Sequence, residues 1–245
     1  MFKAKVRPEV LKEVVDVVST TVDETKITAT KTGISIKAVD PAHVAMIDLT
    51  LSKGGFEEYK ADDVALGVDM DKIKEVLRLA KPGDMIYMEH DEERNRLVFK
   101  VGNITRKMSL VDTTGMSEPK VPNLNLPVKI VVKTDEIRQG IRASESVSDH
   151  IALVANPEGF EMISEGDTDS VNLKLGKDLL EELKCKEETR SLFPLDYFSS
   201  IFKTISTASV VTMHMGSDYP VKLEFSIANE KGAVVYLLAP RIESE

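Results

Sequence analysis

Hydrophobic and polar residues alternate along most of this chain in short runs, and two helical patterns interrupt these runs in its first half. Strands are predicted at 2–6, 26–30, 34–39, 44–51, 64–68, 85–90, 96–101 and 104–111. From Pro8 to Val18 apolar side chains recur every three or four positions, which predicts a helix with one buried face. A second helix is predicted from Asp69 or Asp71 to Ala80, ended by a Lys-Pro-Gly sequence.

The same order of elements is predicted a second time further along the chain. Gly33 and Gly159 each follow a polar turn and open an alternating run, and they are 126 residues apart. The second copy has predicted helices at 134–146, with Thr134 as the N-cap, and at 195–205. Two head-to-tail copies favour a scaffold or a ring. The predicted fold class is α+β, with two helices on one face of an antiparallel sheet in each copy.

A proline-rich segment separates the two copies. It contains three prolines, which interrupt both helices and strand ladders: Pro119, Pro122 and Pro127. The predicted organisation is an N-terminal domain at 1–115, a connecting loop at 116–127 and a C-terminal domain at 128–245. The loop also carries four apolar side chains: Met116, Val121, Leu124 and Leu126. We expect some of these to pack on the body of the protein or on a partner.

Length and composition are those expected of an intracellular protein with two domains. The chain has 245 residues, of which 42% are hydrophobic, enough for two cores. Its one cysteine, Cys185, forms no intramolecular disulfide and no paired-cysteine metal motif. No apolar run approaches 18 residues, and the N-terminus lacks the apolar core of a signal peptide. We expect a soluble, cytoplasmic protein that does not enter a membrane.

The sequence predicts no catalytic residue, no metal site and no cofactor. Its histidines are not spaced as zinc ligands: His43, His90, His150 and His214. Ser148, Asp149 and His150 are the residue types of a catalytic triad, but neighbours in sequence rarely stack as a proton relay. No phosphate-binding glycine loop is present.

The net charge of −9 by itself argues against binding nucleic acid, but the charges are segregated. Outside their first turns the four predicted helices carry four acidic residues, Glu13, Asp16, Glu75 and Glu145. They carry twice as many basic residues: Lys12, Lys72, Lys74, Arg78, Lys81, Arg138, Arg142 and Lys203. A solvated helix face is the simpler interpretation of such lysines in an arbitrary protein. Combined with the repeat, they favour a phosphate-facing surface.

Three segments carry a resemblance to a known family. They are Ala38–Met46 (AVDPAHVAM) in the first copy, Glu118–Pro122 (EPKVP) in the connecting loop, and Leu238–Glu243 (LAPRIE) at the end. In this order, on a duplicated chain of this length, they resemble the sliding clamps of the proliferating cell nuclear antigen type, in particular the archaeal ones. The resemblance covers the whole chain.

The resemblance implies a six-domain ring of three subunits that encircles double-stranded DNA, with the helices lining the hole. The implied function is to tether DNA polymerase and other replication and repair enzymes to the template. Implied partners are DNA polymerase, the clamp loader, flap endonuclease, DNA ligase and other clients that carry a short hydrophobic or aromatic motif.

The resemblance also implies three sets of site residues. The eight helix cations above would face DNA. Client peptides would bind in a groove formed by Val39, His43, Val44, Met46, Pro119, Val121, Pro220, Leu237, Leu238, Ala239, Pro240 and Ile242. Subunits would pair through two strands, one with Thr105, Arg106, Lys107, Met108, Ser109 and Leu110, and one with Ser170, Val171, Asn172, Leu173, Lys174 and Leu175.

Three other interpretations stay open from the sequence. The chain could be a subunit of a checkpoint or damage-response ring, which partner preference would distinguish. It could belong to a ring of mixed subunits, because one chain does not show whether it pairs with itself. An enzyme with a pocket between the two copies would require a constellation of catalytic residues, which the sequence does not offer.

Overall fold

The computed structural model describes residues 1–116, 118–205 and 208–242. Ser117 of the predicted connecting loop and Glu243, the last residue of the C-terminal segment behind the resemblance, lie outside the described residues. The chain forms two compact units. The first contains Met1–Lys120 and Ser226–Val234, and the second contains Val121–Phe225 and Val235–Glu245.

The first 109 residues contain nine strands and two helices, all of which belong to the first unit. In chain order they are β1 (Phe2–Val6), α1 (Pro8–Val18), β2 (Glu24–Thr30), β3 (Gly33–Val39), β4 (Ala45–Ser52), β5 (Glu58–Ala61), β6 (Val64–Asp69), α2 (Met70–Leu77), β7 (Ile86–Asp91), β8 (Arg96–Val101) and β9 (Ile104–Ser109).

These strands form two antiparallel sheets that enclose the core of the first unit. One has the order β5-β1-β7-β8-β9, and the other runs β4-β3-β2-β6. Helices α1 and α2 pack on each other. Because α1 presents Val14, Val15 and Val18 on one face, those side chains are at most 2% exposed.

From residue 128 onward the same order of elements recurs. The elements are β10 (Val128–Lys133), α3 (Thr134–Ser144), β11 (His150–Asn156), β12 (Gly159–Glu165), β13 (Ser170–Gly176), β14 (Glu182–Lys184), β15 (Thr189–Pro194), α4 (Leu195–Thr204), β16 (Val210–Met215), β17 (Val221–Ile227) and β18 (Gly232–Leu238). Within the second unit, β14-β10-β16-β17 form one antiparallel arrangement and β13-β12-β11-β15 the other. Helices α3 and α4 pack on each other.

The predicted repeat is confirmed element by element. Helices α1 and α3 begin and end 126 residues apart, as do β2 and β11, and β3 and β12. Gly33 and Gly159 open β3 and β12, and a Cβ at either would lie 2.2–2.3 Å from a backbone carbonyl oxygen of the neighbouring strand. A side chain does not fit there, which explains why glycine occupies both positions.

Several local predictions were wrong, among them the end of α3, which is Ser144 rather than residue 146. Thr134 is not the N-cap of α3: Lys133 is, and the hydroxyl of the buried Thr134 donates instead to the carbonyl of Ala208 at 3.0 Å. Helix α2 ends at Leu77 rather than Ala80. Strand β9 ends at Ser109 rather than residue 111, because the next two amides donate to Asn95 and Gly67.

Strand β5 was not predicted. Its side chains are exposed or half-buried except for Ala61. The sequence Glu-Tyr-Lys-Ala therefore lacks the alternation of apolar and polar residues that would predict a strand. Backbone pairing with β1 holds it in the sheet.

Candidate nucleic-acid and partner interface

The eight predicted DNA-facing cations lie on the helices or just beyond their C-terminal ends. In the first unit, Lys12 is on α1, Lys72 and Lys74 are on α2, and Arg78 and Lys81 follow α2. In the second unit, Arg138 and Arg142 are on α3 and Lys203 is on α4. Each unit therefore carries part of the predicted set on its own helix pair.

Five of these cations form ion pairs within their own unit. The pairs are Lys12–Asp16, Lys72–Asp69 at 3.2 Å, Lys74–Asp71 at 2.9 Å, Arg138–Asp135 at 3.1 Å and Lys203–Glu145 at 3.0 Å. Arg78, Lys81 and Arg142 are exposed and form no ion pair with a described residue. These three are the side chains most available to a phosphate.

Arg138 has a structural role that the sequence did not indicate. Its Nε donates to the carbonyl of Phe202 at 3.2 Å, and its Nη2 donates to the carbonyl of Ile205. Both acceptors lie at the C-terminal end of α4, where helical carbonyls lack intrahelical partners. Arg138 therefore joins α3 to the end of α4.

Glu145 reduces the positive charge beside α4. Its carboxylate accepts a hydrogen bond from Ser199 at 2.6 Å and pairs with Lys203 at 3.0 Å. The hydrogen bond from Ser199, followed by the interaction with Lys203, lowers the pKa of Glu145. Glu145 therefore stays ionised at neutral pH, next to two predicted DNA-facing cations, Arg142 and Lys203.

In the first unit, the predicted groove residues surround a loop organised by Asp40. The Asp40 carboxylate is 5% exposed and accepts hydrogen bonds from the amides of Ala42 at 3.1 Å, Val44 at 2.7 Å and Ala45 at 2.6 Å. His43, at the tip, has a positive φ of 57°. The buried carboxylate replaces the backbone partners that this turn lacks.

This loop presents some of the predicted groove residues and buries another. His43 is exposed, Val39, Val44 and Pro119 are half-buried, and Met46 is 8% exposed. Aliphatic and imidazole side chains are thus available beside the loop, while Met46 lies mainly in the core.

In the second unit, the predicted groove residues also differ in exposure. Ile242 and Val121 are 71% and 37% exposed. Pro220, Ala239 and Pro240 are half-buried. Leu237 and Leu238 are 6% and 0% exposed, so Leu238 contributes to the core rather than to an accessible surface.

The last described residues are anchored by Arg241, which no sequence pattern indicated. Its amide donates to the carbonyl of Leu192 in β15 at 2.7 Å, and its guanidinium donates to Nε2 of His150. Both partners come from strands about 50 to 90 residues earlier, which is why no local sequence signal revealed them. This anchoring leaves the next side chain, Ile242, exposed.

The two predicted subunit-pairing strands are both at sheet edges. Strand β9 pairs with β8 and ends the five-stranded sheet of the first unit, and β13 pairs with β12 and ends a four-stranded sheet of the second. On β9, Thr105, Lys107 and Ser109 are exposed, Arg106 is half-buried and pairs with Glu75, Met108 is buried, and Leu110 lies beyond the strand. On β13, Ser170, Asn172 and Lys174 are exposed, Val171 and Leu173 are half-buried, and Leu175 is buried.

Among residues 1–116, 118–205 and 208–242, no three His, Cys, Asp or Glu side chains are grouped so as to hold a metal ion. No helix in these ranges has the length and apolar character that crossing a membrane requires.

Comparisons with known proteins agree over the full length. Residues 1–116 match the family model "Proliferating cell nuclear antigen, N-terminal domain", and residues 120–241 match the corresponding C-terminal domain. Curated proteins named "DNA polymerase sliding clamp" from Methanococcoides burtonii and Methanosarcina barkeri are 41% and 42% identical, with 100% of both chains covered. A solved structure described as the C-terminal region of FEN-1 bound to A. fulgidus PCNA aligns with a TM-score of 0.93 at 34% identity, again covering 100% of each chain.

Proposed function

The chain belongs to the proliferating cell nuclear antigen family of DNA polymerase sliding clamps, and we propose that three copies of it close into a ring around duplex DNA. The observation that carries this proposal is the pair of sheet edges β9 and β13, which lie on different units and differ in sequence. Two unlike edges on one chain suit head-to-tail association, which gives a ring when the rotation closes. Pairing would also cover edges that otherwise promote aggregation.

Charges near the two edges support pairing between unlike ends. Strand β9 carries the exposed Lys107, in addition to Arg106, which already pairs with Glu75. The end of β12 and the turn that leads into β13 carry three exposed acidic residues: Glu165, Asp167 and Asp169. Opposite charges at the two ends favour β9 of one copy meeting β13 of the next and disfavour pairing of like ends.

The ring is tested by the solution mass across a dilution series. We expect a mass near three times 27.1 kDa for the natural chain. Lys107→Glu should shift the mass toward 27.1 kDa at lower protein concentrations, because it places a negative charge at the β9 edge. Lys53→Glu, at an exposed position outside both edges, is the matched control. A stable monomer of the natural chain would exclude the homotrimer.

For the clamp activity, we propose that the helix cations contact phosphates without reading sequence. Arg78, Lys81 and Arg142 support this role best, because no described carboxylate pairs with them. Contacts of this type give dissociation constants of roughly 10⁻⁴ to 10⁻⁶ M at physiological salt. A closed ring tolerates such weak binding, since linkage retains it on DNA while the contacts let it slide. The test is polymerase processivity on primed circular DNA, which should rise only when the clamp is loaded.

We further propose that client proteins bind the predicted groove residues of both units. The A. fulgidus relative was solved with the C-terminal region of FEN-1 bound, which supports a flap endonuclease as one client. DNA polymerase, the clamp loader and DNA ligase are the other proposed partners. The role is proposed to be non-enzymatic and cytoplasmic, with the archaeal chromosome, in keeping with the curated archaeal relatives.

Each unit's contribution to client binding can be tested separately. His43→Asp in the first unit and Ile242→Asp in the second each place a charge at an exposed predicted groove residue. Each should weaken binding of a client peptide with aliphatic and aromatic anchors, because a carboxylate is poorly accommodated beside apolar groups. Unchanged affinity in either variant would remove that residue from the groove.

A further inference from the structure

One face of the five-stranded sheet in the first unit is unusually rich in lysine. On β1 and β7, the outward positions between the buried residues are Lys3, Lys5, Tyr87 and Glu89. The strand register extends these into two rows across the sheet. One row contains Lys60, Lys3, Glu89, Val98 and Lys107, and the other contains Glu58, Lys5, Tyr87, Lys100 and Thr105. We call these ten residues the lysine face.

Only part of the positive charge on the lysine face is compensated. Lys3 pairs with Glu89 at 2.7 Å, and Lys5 pairs with Glu58 at 3.2 Å. Lys60 and Lys100 are exposed and form no ion pair with any described residue. The face thus has surplus positive charge on a chain whose net charge is −9.

The lysine face also has apolar character at its centre. Tyr87 is 44% exposed, and the ammonium of Lys5 lies 5.1 Å from the centroid of its ring. Val98 is half-buried beside it. A shallow depression of about 360 Å³ runs along this part of the sheet, with Ala4, Tyr59 and Met88 also among its lining residues.

The repeat-related face of the second unit provides an internal comparison. There Thr212 takes the place of Tyr87, and Glu224 takes the place of Lys100. Lys184 takes the place of Lys60 but pairs with Glu182 at 2.8 Å.

The remaining charges on that second face are compensated too. Lys129 pairs with Glu182 at 2.6 Å, while Lys222 and His214 lie 2.8 and 3.0 Å from Glu224. The same sheet therefore carries lysines paired with carboxylates in the second unit and unpaired lysines in the first. It follows that folding of the sheet does not require the unpaired lysines of the lysine face.

We propose that the lysine face binds an acidic, extended segment of a partner protein. Lys60 on β5 and Lys100 on β8 would hold two carboxylates, and an aliphatic side chain between them would contact Tyr87 and Val98. Strands lie about 4.8 Å apart, so the two lysines are roughly 15 Å apart across the face. An extended chain rises about 3.3 Å per residue, so carboxylates about four residues apart fit both.

Features of the lysine face favour a peptide over single-stranded nucleic acid. Lys5 covers one side of the Tyr87 ring, which leaves less of it for stacking with bases. Glu58 and Glu89 lie among the lysines and would repel a continuous row of phosphates. Isolated carboxylates can avoid these two residues, and peptide amides can donate to them.

The test measures binding of a fluorescent 12-residue peptide with the motif Glu-x-Leu-x-Glu to the full-length protein by anisotropy. Lys60→Ala, Lys100→Ala and Tyr87→Ala should each weaken binding about fivefold, the size expected when one exposed charge or contact is lost. The Lys60→Ala/Lys100→Ala double variant should bind the peptide roughly 25-fold more weakly if the two lysines contribute independently. Lys184→Ala, at the compensated position of the second unit, should leave the affinity unchanged.

Four results would overturn the proposal. The first is no binding to the natural protein, and the second is equal affinity for the natural protein and the double variant. The third is that a 12-nucleotide thymidine oligomer binds more tightly than the peptide and that the same substitutions abolish this binding. That result would make the lysine face a nucleic-acid site. The fourth is a changed solution mass in the double variant, which would indicate a contact between copies. Arg142→Ala, on a helix, should leave peptide binding intact, so that loss of DNA binding and loss of this site are distinguishable.

Discussion

Ser199 on α4 donates a 2.6 Å hydrogen bond to the carboxylate of Glu145, the residue that follows the last turn of α3. Ser199 is 3% exposed, so this bond joins the two helices where they pack. It also fixes a negative charge 3.0 Å from Lys203. Glu145 therefore links α3 to α4 and, at the same time, weakens the attraction of the second unit for phosphates.

Removing this negative charge should strengthen DNA binding. Glu145→Gln keeps the side-chain shape but leaves Lys203 without its anionic partner, so non-specific affinity should rise about two- to threefold at low salt. Anisotropy of a labelled 30-base-pair duplex measures this. Glu158→Gln, in an exposed turn of the same unit, removes the same charge elsewhere and should have little effect. Equal gains in both variants would point to net charge alone.

Arg138 and Arg142 should have different roles although they are one helical turn apart. Arg138→Ala removes donors to the carbonyls of Phe202 and Ile205 and should lower the free energy of unfolding by about 1–3 kcal/mol. Arg142→Ala should change stability by less than about 0.5 kcal/mol and instead weaken DNA binding. Chemical denaturation and duplex binding, measured on both variants, separate the two roles. A stable Arg138→Ala variant would contradict the assignment.

Asp40 should be needed for the shape of the 40–45 loop. Asp40→Ala leaves the amides of Ala42, Val44 and Ala45 without their acceptor, which should cost about 3 kcal/mol. Asp40→Asn retains one acceptor oxygen and should lose about 1 kcal/mol. Urea unfolding measures both, and client-peptide affinity should fall in the same order. If the two variants were equally stable, the carboxylate would not be what organises the loop.

Glu182 should contribute to acid stability in a defined pH window. Hydrogen bonds from Lys129 and then Lys184 lower its pKa from 4.5 to about 2. Since the folded-state pKa is depressed, its contribution is complete above about pH 4.5 and is lost as the pH falls toward about 2. The stability difference between the natural protein and Glu182→Gln should therefore shrink between pH 6 and pH 3. Glu181→Gln is the control, and a difference independent of pH would contradict the assignment.

His90 should be replaceable with a gain in stability. Both of its ring nitrogens are buried and have no hydrogen-bond partner among the described residues. His90→Leu removes two unsatisfied polar atoms and should raise the free energy of unfolding by about 1 kcal/mol. His214→Leu is the matched substitution at a histidine that pairs with Glu224, and it should give no gain. A loss of stability in His90→Leu would mean that ring shape, rather than polarity, decides the fit.

Several features followed from the sequence alone because local rules determine them. The helix at Pro8–Val18 was predicted from the spacing of its valines, and β8 from alternation at 96–101. The repeat was visible because Gly33 and Gly159 meet the same steric demand from a neighbouring strand, so both positions keep glycine. The sliding-clamp family was recognised from three short segments, and full-length comparisons confirm it.

Other features depended on contacts between residues far apart in sequence. Thr134 looked like an N-cap, but a buried position beside Ala208 gave its hydroxyl another acceptor. Arg138 looked like one more cation, and only the folded chain brings it to the end of α4. The lysine face was equally hidden, because Lys60, Lys100 and Tyr87 come together only through strand register. Periodicity in a sequence reports which side of an element is buried, whereas the partners of each polar group are chosen by tertiary packing.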